Sequence, residues 1–286
     1  MRSEELEFLY RVLSAVKSYL DDFLIVGGFA SLLYQFHDRA KSTALSPLIT
    51  YDLDIATSGE IPVRGDAPVH ELLLDAGLQE ELGGASNPPL AKYSLKDGTR
   101  SLYHVEFLTL LSGSGNTRNG APDVAQLIQS KLSAQKLRYL DLLFQNTWSV
   151  ATAMIPSLQG RPNLVVQIPH PSMFTMQKIL VSGKRKPRNR VKDFAYLYLT
   201  LTFFRGDLKS LADEYRTLLK DNRLWQKWYL DYVKLLKELF GSPNSVGPVE
   251  ASRILDRVTP QMISAVVTRF VDNLPEVSRS DTISIS

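Results

Sequence analysis

A short segment near the start of the chain constrains the fold more than any other feature of the sequence. It opens with an apolar run, Phe23 to Val26, which has the length of a buried strand. Gly27 and Gly28 follow at once, and the residues after them are typical of the start of a helix. Asp52 and Asp54 then stand two residues apart inside a second apolar run. This order predicts strand, glycine turn, helix and strand.

The residue types in this segment indicate a chemistry. A glycine pair between a strand and a helix lets the backbone approach a ligand closely and directs the free amides of the helix N-terminus at an anion. In a strand, Asp52 and Asp54 would point to the same face. Two carboxylates so close are unfavourable unless a cation lies between them, and such hard oxygen ligands suit Mg²⁺. The combination is typical of phosphoryl transfer from a nucleotide.

The pattern strand, Gly-Gly-x-Ala, helix, Thr-x-Asp-x-Asp resembles the signature of the nucleotidyltransferase superfamily, which has the DNA polymerase β-like fold. The closest likeness is to the bacterial branch that includes the abortive-infection-type toxin nucleotidyltransferases. The resemblance implies an α/β (α+β) fold with a mixed sheet flanked by helices, followed by a C-terminal helical domain. The residues that match the signature are Gly27, Gly28, Ala30, Thr50, Asp52 and Asp54.

One position departs from the family pattern. Many relatives carry an arginine two positions before the threonine, whereas this chain has Leu48 two positions before Thr50. Arg39 and Lys41, earlier in the same polar loop, are candidates to replace that arginine. The resemblance assigns Gly27, Gly28 and Thr50 to nucleotide binding.

A third acidic residue is expected on a later strand. Residues 101–111 are rich in strand formers, and Glu106 lies among apolar neighbours, where an unpaired carboxylate would be costly. In the superfamily a third acid completes the metal site, and the resemblance assigns that place to Glu106. The alternative is a glutamate on a solvated strand face. His104 is expected to share the face of Glu106 because it lies two residues earlier.

A second block of resemblance extends the match to about residue 200. Lys178 matches the lysine that the family carries on a helix, and Asp193 is expected to open the next helix and to orient that lysine or the nucleotide. The resemblance therefore adds both residues to the catalytic set of Asp52, Asp54 and Glu106. The alternatives are a surface lysine and an acid that merely favours the dipole at a helix N-terminus.

Residues 184–192 contain six cations and no acid, which predicts a basic loop. Since the net charge of the whole chain is +3, the remaining residues sum to −3. Such a concentration of charge favours a polyanion. Three interpretations stay open: the run binds the triphosphate, binds a nucleic acid backbone, or is only solvated. Lys178 and three arginines of the run are the predicted nucleotide-binding cations, the arginines being Arg185, Arg188 and Arg190.

Length and composition set the frame for these motifs. The 286 residues are expected to form a catalytic domain at 1–168, a helical domain with the basic loop at 169–275 and a flexible tail at 276–286. The absence of cysteine excludes disulfides and cysteine catalysis and fits a cytoplasmic protein. The charged, amphipathic N-terminus is unlike a signal peptide, and no apolar run approaches the ~20 residues of a membrane span.

The sequence thus predicts a metal-dependent nucleotidyltransferase that moves an NMP from an NTP to an acceptor hydroxyl. Asp52, Asp54 and Glu106 would hold Mg²⁺ or Mn²⁺ in a two-metal mechanism. The basic run favours tRNA or another RNA as the acceptor, and the toxin resemblance implies an antitoxin protein as a partner. The alternatives are an antibiotic-type adenylyltransferase that acts on small molecules, and an inactive member that binds a nucleotide or a protein.

Overall fold

The computed structural model describes residues 3–65, 67–84, 86, 88–97, 100–113, 115–117, 120, 122–220 and 222–276. The chain divides into two compact units. The first unit comprises residues 1–37 and 48–169, and the second comprises residues 38–47 and 170–286. The second unit therefore takes in a loop that the predicted boundary at residue 168 assigns to the catalytic domain. The predicted tail lies outside the described residues from residue 277 onward.

The first unit is built on one mixed sheet. The strands are β1 (Leu24–Val26), β2 (Asp52–Ala56), β3 (Gln79–Gly83), β4 (Leu90–Asp97), β5 (Arg100–Leu110), β6 (Ala125–Gln129), β7 (Leu132–Leu137), β8 (Trp148–Ala151) and β9 (Val165–Ile168). They run in the order β3-β4-β5-β2-β1-β9-β8, and β7 pairs with both β5 and β6 beside this path. Strand β2 is parallel to β5 and antiparallel to β1.

Helices cover both faces of this sheet. On one face Phe8 of the first helix stacks on Tyr103 of β5, with ring centroids 5.1 Å apart. On the other face Leu140 and Leu143 pack in one apolar cluster with Ala56 and Leu108. The helices of the unit are α1 (Ser3–Ala15), α2 (Gly27–Leu33), α3 (Val69–Asp75) and α4 (Leu140–Leu143). The mixed sheet flanked by helices confirms the predicted fold class.

The second unit is helical. Helices α5 and α6 are buried along most of their length, and a cluster of buried tyrosines packs beside them. The loop at residues 38–47 is fastened to these helices, because Arg39 Nε lies 3.1 Å from Asp207 Oδ2 and the Lys41 amide donates to the carbonyl of Phe203. The helices are α5 (Pro171–Ser182), α6 (Pro187–Phe203), α7 (Leu208–Leu218), α8 (Arg223–Phe240), α9 (Val246–Ser252) and α10 (Pro260–Val271).

The basic run corrects one prediction. It is largely not a loop, since α6 begins at Pro187 and residues 187–192 form its first turns. Proline suits the first helical position, because its missing amide has no partner there in any case, and the apolar residues that follow carry the helix onward. Asp193 consequently does not open a helix but lies in the second turn of α6 and is buried.

Helix α9 contains Pro248 in its first turn, where proline is tolerated. Within the described part of the chain, no helix is long and apolar enough to cross a membrane.

Candidate active site

The pairing of β2 with β5 brings the predicted acidic residues together. The two strands are parallel, with Asp52 opposite His104 and Asp54 opposite Glu106. Residues in register on neighbouring strands project from the same face of a sheet, and so do residues two apart on one strand. Asp52, Asp54 and Glu106 therefore lie on one face, where the start of β2 runs beside β5.

The alternation of β2 explains why this face is accessible. Leu53 and Ile55 point to the opposite face and are fully buried in the core. On the acidic face, the side chain of Asp52 is 52% exposed and that of Glu106 is 35% exposed. Further along the same strands the face becomes apolar and is covered by α4. The strand thus carries the carboxylates to the edge of the packed region.

Two basic side chains of the sheet contact these carboxylates. Lys92 of β4 lies directly opposite Glu106, and its Nζ is 2.8 Å from Glu106 Oε1. Nε2 of His104 contacts Asp52 Oδ1 and lies 3.7 Å from Glu106 Oε1. The Lys92 ammonium offsets the repulsion between neighbouring carboxylates. The face is therefore a mixed cluster of acids and bases.

The carboxylates can be tested for their fit to a divalent cation. Within the described residues, no three His, Asp or Glu side chains are arranged as a ready metal cluster. Glu106 Oε1 is turned to Lys92 instead. Asp52 and Asp54 nevertheless supply hard carboxylate oxygens on one exposed face, which is the donor chemistry that Mg²⁺ prefers. The three carboxylates fit such an ion if it takes the place of Lys92 at Glu106 Oε1.

Gly27 is the residue that the site could least replace. Its φ is +62°, in the left-handed region, and a Cβ on it would lie 2.0 Å from Asp54 Oδ2. The backbone therefore approaches the Asp54 carboxylate as closely as only glycine allows. Gly28 follows it as a buried residue of α2. Thr50 is buried, and its hydroxyl donates to the carbonyl of Asp52 at 3.4 Å, which orders the start of β2.

The remaining predicted residues lie in the second unit. Lys178 Nζ is 3.5 Å from Asp193 Oδ1, and Arg185 Nε is 3.3 Å from Asp193 Oδ2. Lys178 is 5% exposed and its ammonium lies over the rings of Phe174 and Tyr196, at 5.1 and 5.6 Å. Lys178 is therefore not a surface lysine, and Asp193 is not a helix N-terminal acid.

Burial governs the charge of Asp193. Desolvation raises the pKa of its carboxyl, and the positive charges of Lys178 and Arg185 oppose that rise. The three side chains form a compact network of two cations and one anion, in which Lys178 and Asp193 are buried and Arg185 is partly exposed. The network lies on α5, on the turn after it and on α6.

The other predicted cations have different surroundings. Arg190 Nε lies 3.1 Å from Glu250 Oε2, which fastens α6 to α9, whereas Arg188 is exposed. Arg39, a candidate for the missing arginine, is held by Asp207 and Ser210. The sequence alone did not indicate Lys92, because its position opposite Glu106 is set by the pairing of β4 with β5. His104 was expected on the acidic face, and it lies there.

Comparison with known proteins agrees with this geometry. A family model described as nucleotidyltransferase matches residues 7–220, which is most of the chain. Curated proteins give no significant match. The matched range includes the glycine pair, all three carboxylates of the sheet, and the network around Asp193. The chain therefore belongs to a nucleotidyltransferase family and is a transferase that uses an NTP.

Proposed function

We propose that the protein is a metal-dependent nucleotidyltransferase that transfers an NMP from an NTP to a hydroxyl group of an RNA. The observation that carries the proposal is the register of β2 with β5, which aligns Asp52, Asp54 and Glu106 on one face while the backbone of Gly27 closes against Asp54. An acidic face is unsuited to a triphosphate unless cations are added. A divalent ion at these carboxylates would meet that need.

The residues of the sheet have distinct proposed roles. Asp52 and Asp54 would hold Mg²⁺ or Mn²⁺, and Glu106 would complete the site. When bound, such ions neutralise charge on the phosphates and favour attack by a hydroxyl. Gly27 and Gly28 keep the backbone bare of side chains, so that phosphate oxygens could reach the amides. The proposed role of Lys178 and Asp193 in nucleotide binding rests on the family resemblance.

The basic run supports a nucleic acid as acceptor. Arg185 and Arg190 already contact carboxylates, so nucleotide binding by either would require it to leave Asp193 or Glu250. Lys184, Lys186 and Arg188 are instead exposed, with no ion pair to any described residue. Three solvated cations within five residues suit the phosphates of an RNA backbone. We therefore assign the RNA contact to these three residues.

Labelling tests the activity directly. The protein is incubated with each radiolabelled NTP, Mg²⁺ and total tRNA, and label in the RNA is the expected result. The Asp52→Asn variant should lose the label, because it removes a charge that the ions require. Asp213→Asn, which changes an exposed acid on α7, is the control and should keep it. Label on an added aminoglycoside but not on RNA would refute the RNA acceptor, and labelling by Asp52→Asn would refute the metal assignment.

Salt dependence tests the RNA contact. The triple variant Lys184→Gln, Lys186→Gln, Arg188→Gln should bind tRNA more weakly, and its plot of log K against log salt should be less steep by about 2. A second triple variant removes the same charge from exposed positions elsewhere in the second unit and should bind as the wild type does: Lys209→Gln, Lys220→Gln and Lys227→Gln. Equal slopes for both triple variants would remove the basic run from the interface.

The proposed toxin role has its own test. Induced expression should arrest bacterial growth if the protein modifies an essential RNA, and Asp52→Asn should not. A neutralising antitoxin would be a protein whose coexpression restores growth and which copurifies with the chain. Growth arrest by Asp52→Asn as well would argue against an enzymatic toxin.

A further inference from the structure

Lys92 and Glu106 form an ion pair on the acidic face. The two residues are directly opposite on antiparallel strands β4 and β5, so hydrogen bonds between the strands fix their backbones. Lys92 Nζ lies 2.8 Å from Glu106 Oε1, and both side chains are 35% exposed. Only side-chain rotation is needed to separate them, and solvent can reach both.

This geometry sets up a competition. A divalent cation bound through Glu106 Oε1 would take the place of the ammonium on that oxygen, and the two positive groups would repel at so short a distance. Glu106 can therefore serve Lys92 or the metal ion, but not both with the same oxygen.

We propose that Lys92 is a positioning residue that holds Glu106 in the metal-free protein and lowers the affinity of the site for the divalent cation. The inference rests on the proposed function, because it takes Glu106 as a metal ligand. Lys92 offsets the repulsion among Asp52, Asp54 and Glu106 before the cation arrives. Its removal should leave the site more negative and more attractive to the cation.

Mn²⁺ binding measures this effect without any turnover. Free Mn²⁺ is followed by electron paramagnetic resonance during titration of the full chain in the absence of nucleotide. Lys92→Gln should tighten Mn²⁺ binding about fivefold, which corresponds to about 1 kcal/mol, and should lower the melting temperature in EDTA. Lys92→Arg should bind Mn²⁺ like the wild type. Lys136→Gln is a matched control, since Lys136 Nζ lies 2.8 Å from Asp123 Oδ1 in the same unit, outside the acidic cluster.

A double variant shows whether the effect passes through Glu106. In the Glu106→Gln background, Lys92→Gln should change Mn²⁺ affinity less than twofold, because the competed oxygen has lost its charge. Unchanged or weaker Mn²⁺ binding by Lys92→Gln, alongside normal binding by the wild type, would overturn the role of Lys92 alone. Absence of Mn²⁺ binding by the wild type and Lys92→Gln alike would overturn the metal site, and the proposed function with it.

Discussion

Replacement of Gly27 by alanine tests the architecture of the site at one atom. The new Cβ would lie 2.0 Å from Asp54 Oδ2, 3.0 Å from Asp54 Cγ and 3.3 Å from Asp54 Cβ. A φ of +62° adds a backbone cost of about 1–2 kcal/mol for any residue with a Cβ. Overpacking against the carboxylate adds about 1–3 kcal/mol. We expect Gly27→Ala to lose roughly 2–5 kcal/mol of unfolding free energy in total.

A second glycine separates the two contributions. Gly77 has a φ of +85°, and a Cβ on it would meet no atom within 4 Å. Gly77→Ala should therefore lose only the backbone cost of about 1–2 kcal/mol. Urea denaturation of the two variants gives the contribution of the clash as their difference. In an Asp54→Ala background, the cost of Gly27→Ala should fall nearly to that of Gly77→Ala, because only the 3.3 Å contact with Cβ of residue 54 remains.

The same variant should impair catalysis. Asp54 must move to accommodate the Cβ, and a displacement of about 1 Å at a reacting group costs on the order of a hundredfold in rate. Gly27→Ala should thus lose most nucleotidyl transfer in the labelling assay, whereas Gly77→Ala should keep it. Equal stability of the two single variants, with activity retained by Gly27→Ala, would refute the close approach of Gly27 to Asp54.

Three further variants test the second unit. Lys178→Met should lose about 3–5 kcal/mol of unfolding free energy at pH 7, because it leaves a buried carboxylate short of one cation. Burial raises the pKa of Asp193, so the unfolding free energy of the wild type should fall as pH rises from about 3.8 through the native pKa. Asp193→Asn, measured by urea denaturation at pH 4 and pH 7, should lack this fall. If Lys178→Met lost as much unfolding free energy at pH 4 as at pH 7, the pairing of Lys178 with Asp193 would be contradicted. Burial also raises the pKa of Tyr232 to about 12, so this residue should lower the unfolding free energy by about 2 kcal/mol between pH 10 and pH 12, because the unfolded chain ionises first. Tyr232→Phe should show a shallower alkaline fall by the same measurement, and an identical fall would contradict burial of the hydroxyl.

The sequence by itself determined the parts of the protein whose signals are local. The apolar run before Gly27 and the alternation around Asp52 and Asp54 depend on neighbours a few residues away, and both became the expected strands. The apolar residues of α7, α8 and α10 likewise recur at helical spacing in the sequence itself. Periodicity suffices for these elements because each buries one face of its own.

Tertiary structure alone decided the partners of the charged residues. Glu106 was recognised as an acid in need of a partner, but only the pairing of β4 with β5 showed that Lys92 fills that place. Asp193 resembled a helix-opening acid until Pro187 proved to begin the helix and burial placed it between Lys178 and Arg185. Strand register and helix packing join residues far apart in the chain, and no local pattern encodes which of them meet.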